Sequence, residues 1–196
     1  MRLALVFAIL AAPALAQGTT IVSPVYDQLV AIPVPTGFAA GFEREQGGAY
    51  ILELVPPGER VEDWTQLITV TGSRGSADKL SVTYMASTMA DGYQAACPGS
   101  FTAHKLAPPK VQGARAVFAG YLGCGSVGGH AEAMVFVVLQ GKSDLYTLQW
   151  AEHGPAVDHP VEPDAAIWRL RADSLGLARL CDKVVGELPP YPSCTD

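Results

Sequence analysis

Apolar and polar positions alternate along this chain in short runs cut by glycine and proline, with two longer stretches of helical period. Gln28 to Val34 (QLVAIPV), Phe38 to Glu45 and Ala49 to Val55 (AYILELV) read as strands of a hairpin meander, separated by Pro35-Thr36-Gly37 and by a Gly47-Gly48 turn. Pro33 cannot donate to a ladder, so it predicts an edge position or a bend in the first run. Pro56-Pro57-Gly58 breaks the chain, and Gln66 to Thr71 (QLITVT) resumes a β-branched character. From Ala77 to Ala96, Leu80, Tyr84 and Thr88, with Met85 and Met89, recur at three and four residues, the period of an amphipathic helix. Ser76 is placed to cap it and Cys97-Pro98-Gly99 to stop it. Strand-like segments follow at Phe101 to Leu106, Ala114 to Leu122, Ala131 to Leu139 and Leu145 to Glu152, with Gly141-Lys142-Ser143-Asp144 as a hairpin turn between the last two. After a proline- and acid-bearing loop from Pro155 to Pro163, Asp164 caps a final helix running from Ala165 to about Val185, with Gly176 as a kink.

The order strands, helix, strands, helix predicts the α+β class: an antiparallel sheet with helices packed on one or both faces. The chain of 196 residues has 49% hydrophobic and 16% charged residues, which excludes an intrinsically disordered protein. Its formal charge of −6 argues against a general grip on nucleic acid phosphates.

The N-terminus changes the picture. Met1-Arg2, the apolar run Leu3 to Leu10, and the small-x-small site Ala14-Leu15-Ala16 form the three-part pattern of a secretory signal peptide. Cleavage after Ala16 leaves residues 17–196 as a single exported domain, expected in a periplasm, and no later run is long enough to span a bilayer. Cys97, Cys124, Cys181 and Cys194 are an even set in an oxidising compartment, which points to disulfides. They allow three pairings; the shorter loops favour Cys97–Cys124 with Cys181–Cys194. No CxxC or zinc-finger spacing is present.

The element order, together with the stretch Val61-Glu62-Asp63-Trp64-Thr65-Gln66-Leu67-Ile68-Thr69-Val70, resembles exported bacterial proteins with a PsbP-like fold. That family includes extrinsic subunits of the photosynthetic oxygen-evolving complex. The resemblance implies an α/β/α sandwich and an accessory role on the outer face of a membrane complex. It brings no catalytic residue with it.

Candidate chemistry is sparse. The densest set of metal-type ligands is the loop holding His153, Asp158 and His159, flanked by Glu152 and Glu162, since imidazole and carboxylate suit a divalent ion. His130-x-Glu132 at a strand entry places a second His and carboxylate on one face. Gly123-x-Gly125-x-x-Gly128 matches a dinucleotide fingerprint only formally, because a strand rather than a helix follows, and a glycine-rich hairpin loop is expected instead. Ser126 has Gly128 two residues after it but Cys124 two residues before it, so the G-x-S-x-G nucleophile elbow is absent. Trp64, beside Glu62 and Asp63, is the expected surface anchor for a partner, whereas Trp168 belongs to the buried face of the last helix. These features predict an exported binding or accessory protein with a protein partner and no cofactor. The alternatives are a metal-dependent hydrolase built on His153, Asp158 and His159, and a small-molecule carrier with a cleft between sheet and helix.

Overall fold

A computed structural model describes residues 18–195. The leader read at Met1 to Ala16 lies outside the described residues. In chain order the described residues form β1 (Thr19–Val25), β2 (Gln28–Val34), β3 (Ala39–Gln46), β4 (Ala49–Val55), β5 (Gln66–Ser73), α1 (Val82–Ala96), β6 (Phe101–Leu106), β7 (Ala116–Val127), β8 (His130–Gln140), β9 (Leu145–Pro155), α2 (Ala165–Gly176) and β10 (Arg179–Asp182). The class is α+β, with antiparallel sheets and helices packed on them, as the element order predicts.

The main sheet has seven strands in the order β3-β4-β5-β9-β8-β7-β6, all antiparallel. Its central strands are buried on both faces, so β8 reads as a near-continuous apolar run (HAEAMVFVVLQ) rather than an alternation. On one face Val135, Val137, Leu139, Tyr146, Leu148 and Trp150 form a core with Trp168 and Leu175 of α2 and with Val30 and Ile32 of β2. Each such fully buried aliphatic side chain contributes about 1.5–3 kcal/mol relative to exposure. On the opposite face Leu122, Met134, Phe136, Val138 and Ala151 receive α1 through Met85, Ala86, Met89, Ala90 and Tyr93. Among the described residues no helix is long and apolar enough to cross a membrane.

Several elements differ from the sequence reading for identifiable reasons. β2 does not join the meander of β3 and β4; it is the middle strand of a separate three-stranded sheet, β1-β2-β10. Pro33 is tolerated there because β10 pairs only with Gln28 to Ala31, so Pro33 faces a partner on the β1 side alone. The first helix starts at Val82, capped by Ser81, whose hydroxyl accepts from the Tyr84 N–H at 3.0 Å. Ser76 instead closes the preceding turn, donating to the Ser73 carbonyl and accepting from the Leu145 N–H. Tyr84, expected on the apolar stripe, is exposed. The last helix stops at Gly176, where a Cβ would come within 2.7 Å of Pro109, and residues 179–182 pair with β2 instead of continuing the helix.

The glycine-rich segment is strand for most of its length. β7 runs to Val127, and the turn is confined to Gly128-Gly129, both at positive φ, joining β7 to β8. The glycines inside β7 make room for neighbours. A Cβ on Gly120 would meet the Phe136 ring at 2.7 Å, and one on Gly125 would meet the His159 carbonyl oxygen at 2.2 Å. The segment from Val157 to Val161 therefore lies against β7, fastened by Val157 N–H to Gly125 O at 2.8 Å and Tyr121 Oη to Val161 O at 2.9 Å.

The cysteines pair as Cys97–Cys124 and Cys181–Cys194, with Cα separations of 5.9 and 5.7 Å. The first ties the C-cap of α1 to β7. The second ties β10 to the short 3-10 turn Pro192–Cys194.

Candidate functional site

The β8–β9 ladder builds the site. With Gly141 to Asp144 as the turn, Gln140 pairs with Leu145, and counting outward brings Glu132 directly opposite His153. His130 lies two residues before Glu132 and therefore on the same face. His130, Glu132 and His153 each present one ligand atom, and these atoms all lie within 4.8 Å of one another. His153 Nε2 is 3.4 Å and His130 Nε2 is 3.9 Å from the same oxygen, Glu132 Oε2. In a tetrahedral zinc site with bonds of about 2.0–2.1 Å, ligand atoms sit about 3.3–3.4 Å apart. Small side-chain movements would thus seat an ion among the three.

Glu132 and His153 are each held from behind. The Tyr93 hydroxyl, on the last turn of α1, donates to Glu132 Oε1 and leaves Oε2 for the cluster. Burial and the Glu132 carboxylate push the Tyr93 phenol far above its ordinary range, so it remains a donor. The Trp64 indole stacks on the His153 ring with centroids 3.4 Å apart, and the His130 ring lies 3.8 Å from the same imidazole. His153 also makes a hydrogen bond to the Trp64 backbone, and its own N–H donates to the Thr65 carbonyl at 3.1 Å. Burial, and then the nearby His130, hold the His153 imidazole below its ordinary value, which favours the neutral form that metals bind. The loop carrying Trp64 is fastened in turn by the Glu59 carboxylate, which accepts from the Thr65 N–H and hydroxyl, both at 2.7 Å.

Two imidazoles and one carboxylate form a donor set that zinc, copper and iron(II) accept, with coordination positions left open. Side-chain exposures of 36% for His130 and 24% each for Glu132 and His153 leave an entry path for an ion. The support from Tyr93 and the Trp64 backbone is of the outer-shell kind that orients metal ligands.

The candidate ligands of the loop, His153, Asp158 and His159, are not brought together. His153 projects with Ala151 onto the α1 face, whereas the segment bearing Asp158 and His159 packs over β7 on the Tyr121 side, the face that α2 covers. Asp158 and His159 contact each other at 3.2 Å and are exposed, and the His159 hydrogen bond holds the Asp158 carboxyl below its usual range. Glu162 binds His104 at 2.8 Å instead, and that contact likewise lowers its carboxyl. Trp64 is half-buried, its indole on His153 and its edge in the α1-side core. Trp168 is buried in the α2-side core. The sequence reading takes His130-x-Glu132 and His153 separately. The turn at residues 141–144 was the signal that joins them, because it sets the ladder register.

A cleft of about 410 Å3 lies between the sheet and α2, lined by Leu106, Tyr121, Pro163, Trp168, Arg169 and Asp173 among others.

No family model matches the chain, and no curated protein matches it. Among solved structures, the solution structure of cyanobacterial PsbP (CyanoP) from Synechocystis sp. PCC 6803 is similar at a TM-score of 0.45 and 13% identity, over 86% of this chain and 94% of that one.

Proposed function

We infer that this is an exported binding protein whose ligand is a divalent transition-metal ion, held by His130, Glu132 and His153. The observation that carries the reading is the convergence of both Nε2 atoms on Glu132 Oε2, with that carboxylate's other oxygen taken by Tyr93. Zinc fits the tetrahedral spacing, and copper(II) binds the same donors more tightly by the Irving–Williams order. Binding is favoured over hydrolysis by the groups around the cluster. Glu132 is itself a ligand, and the other groups against the cluster, the Tyr93 hydroxyl on Glu132 and the Trp64 indole on His153, are not bases. Two disulfides support the exported, periplasmic assignment, because such bonds persist in oxidising compartments.

An accessory role on the outer face of a membrane complex is the wider form of this reading. A three-ligand ion keeps a position for a side chain of a protein partner. The carrier alternative has its own support in the cleft beneath α2, on the opposite face of the sheet from the histidines.

The test is native mass spectrometry of the mature chain titrated with Zn2+ in a volatile buffer. One ion per chain is expected, lost when His130→Ala and His153→Ala are combined and retained in His159→Ala. Loss in His159→Ala with retention in the double variant would place the ion in the loop and overturn the assignment.

A further inference from the structure

Glu132 is fixed from two sides by elements that one covalent bond joins. Its backbone partner across the β7–β8 ladder is Cys124, and its carboxylate is held by the Tyr93 hydroxyl. Tyr93 lies one turn before Cys97, the C-cap of α1, whose N–H donates to the Tyr93 carbonyl at 3.0 Å. Cys97 is bonded to Cys124. The contacts thus close a circuit from Glu132 through Cys124, Cys97 and Tyr93 back to Glu132.

We propose that Tyr93 is a positioning residue for the metal-binding carboxylate and that the Cys97–Cys124 bond sets metal affinity through it, so that only the oxidised chain holds the ion at full strength. The proposal rests on the metal-binding reading above. Without the cross-link α1 stays docked, because Met85, Ala86 and Met89 pack on the sheet from its earlier turns. Its last turn packs on the same core through Tyr93, is followed by Cys97-Pro98-Gly99 and has no basic side chain on its terminal carbonyls, so the bond adds the covalent restraint that keeps this turn from fraying. When it frays, the phenol leaves Oε1 and the carboxylate is free to rotate and to bind an ion through either or both oxygens. Loss of such an outer-shell partner lowers metal affinity about 10–100-fold.

Formation of the bond is an exchange with an oxidised protein disulfide. The two thiols surrender two electrons and two protons, and the partner disulfide is reduced to a dithiol. A chain held reduced before export would therefore bind the ion weakly, and oxidation after export would complete the site.

Co2+ is the probe, because its visible spectrum reports coordination and its titration gives Kd. Four proteins are compared with the wild type: Tyr93→Phe, Cys97→Ser/Cys124→Ser, the combination of all three, and Cys181→Ser/Cys194→Ser as the remote control. Tyr93→Phe and the first cysteine pair should each raise Kd about 10–100-fold with the same altered spectrum. Their combination should add nothing further, since both remove one restraint. The remote control should match the wild type in Kd and spectrum. A wild-type spectrum and Kd in Tyr93→Phe would overturn the proposal even if the cysteine variant failed to fold. So would full additivity in the combination, or an equal loss in the remote control. Absence of Co2+ binding by the oxidised wild type would instead defeat the underlying metal assignment.

Discussion

An ion bound only by the folded chain must raise thermal stability, and the size of the effect follows from linkage. A single site contributes RT ln(1 + [L]/Kd), about 2.7 kcal/mol when the free ion stands about a hundredfold above Kd. For a chain of this length, each kcal/mol moves the midpoint by about 2–4 °C, so Zn2+ should raise Tm by about 5–11 °C. Binding to the unfolded chain would reduce this figure. That loss is small here, because all four cysteines are in disulfides and offer no thiolates. The perturbation that isolates the site is His130→Ala with His153→Ala, which removes both imidazoles and leaves Asp158, His159, His104 and Glu162 intact. Differential scanning calorimetry of both proteins, with and without the ion, is the assay. The wild type should shift upward and the variant should not. An equal shift in both would show that the ion binds elsewhere and would refute the argument from the ladder register.

Gly125→Ala forces a Cβ to within 2.2 Å of the His159 carbonyl oxygen, and should cost about 1–3 kcal/mol. Its metal Kd should stay unchanged, because that segment packs on the face away from His153; a weakened Kd would contradict the placement. Gly92→Ala, inside α1 with nothing within 4 Å of the added Cβ, should stabilise by about 0.5–1 kcal/mol in chemical denaturation, and a destabilised variant would contradict the exposure of that helix face. The Thr65 N–H, and then its hydroxyl, hold the Glu59 carboxyl below its ordinary value of 4.5. The native state therefore binds fewer protons there than the unfolded chain. That stabilisation is present above 4.5 and is lost as pH falls through the lower native value. Glu59→Gln should remove that part of the acid limb in melts taken as pH falls below 4.5, and an unchanged limb would count against the Glu59 clasp on the Trp64 loop.

Period and punctuation in the chain reach the class of the fold and many of its elements. β4 and β6 begin and end where alternation and turn residues place them, and Asp164 caps α2 through the Ala166 and Ile167 N–H groups. What they do not reach is partnership between distant segments. β2 and β10 are each legible or silent locally, but their pairing depends on a separation along the chain that no local pattern encodes. The buried strands β7 and β8 are apolar on both faces, so periodicity does not reveal which face carries His130 and Glu132. Nearness in sequence groups His153 with Asp158 and His159. The ladder groups it with a residue on the neighbouring strand, and the glycines of β7 draw the intervening loop onto the other face.

The most direct measurement is anomalous diffraction at the zinc edge from crystals of the oxidised protein grown with Zn2+. The account predicts a single dominant peak about 2.0–2.2 Å from His130 Nε2, His153 Nε2 and Glu132 Oε2, with the Tyr93 hydroxyl still on Oε1. A peak at Asp158 and His159, at His104 and Glu162, or none on the α1 face of the sheet would contradict it.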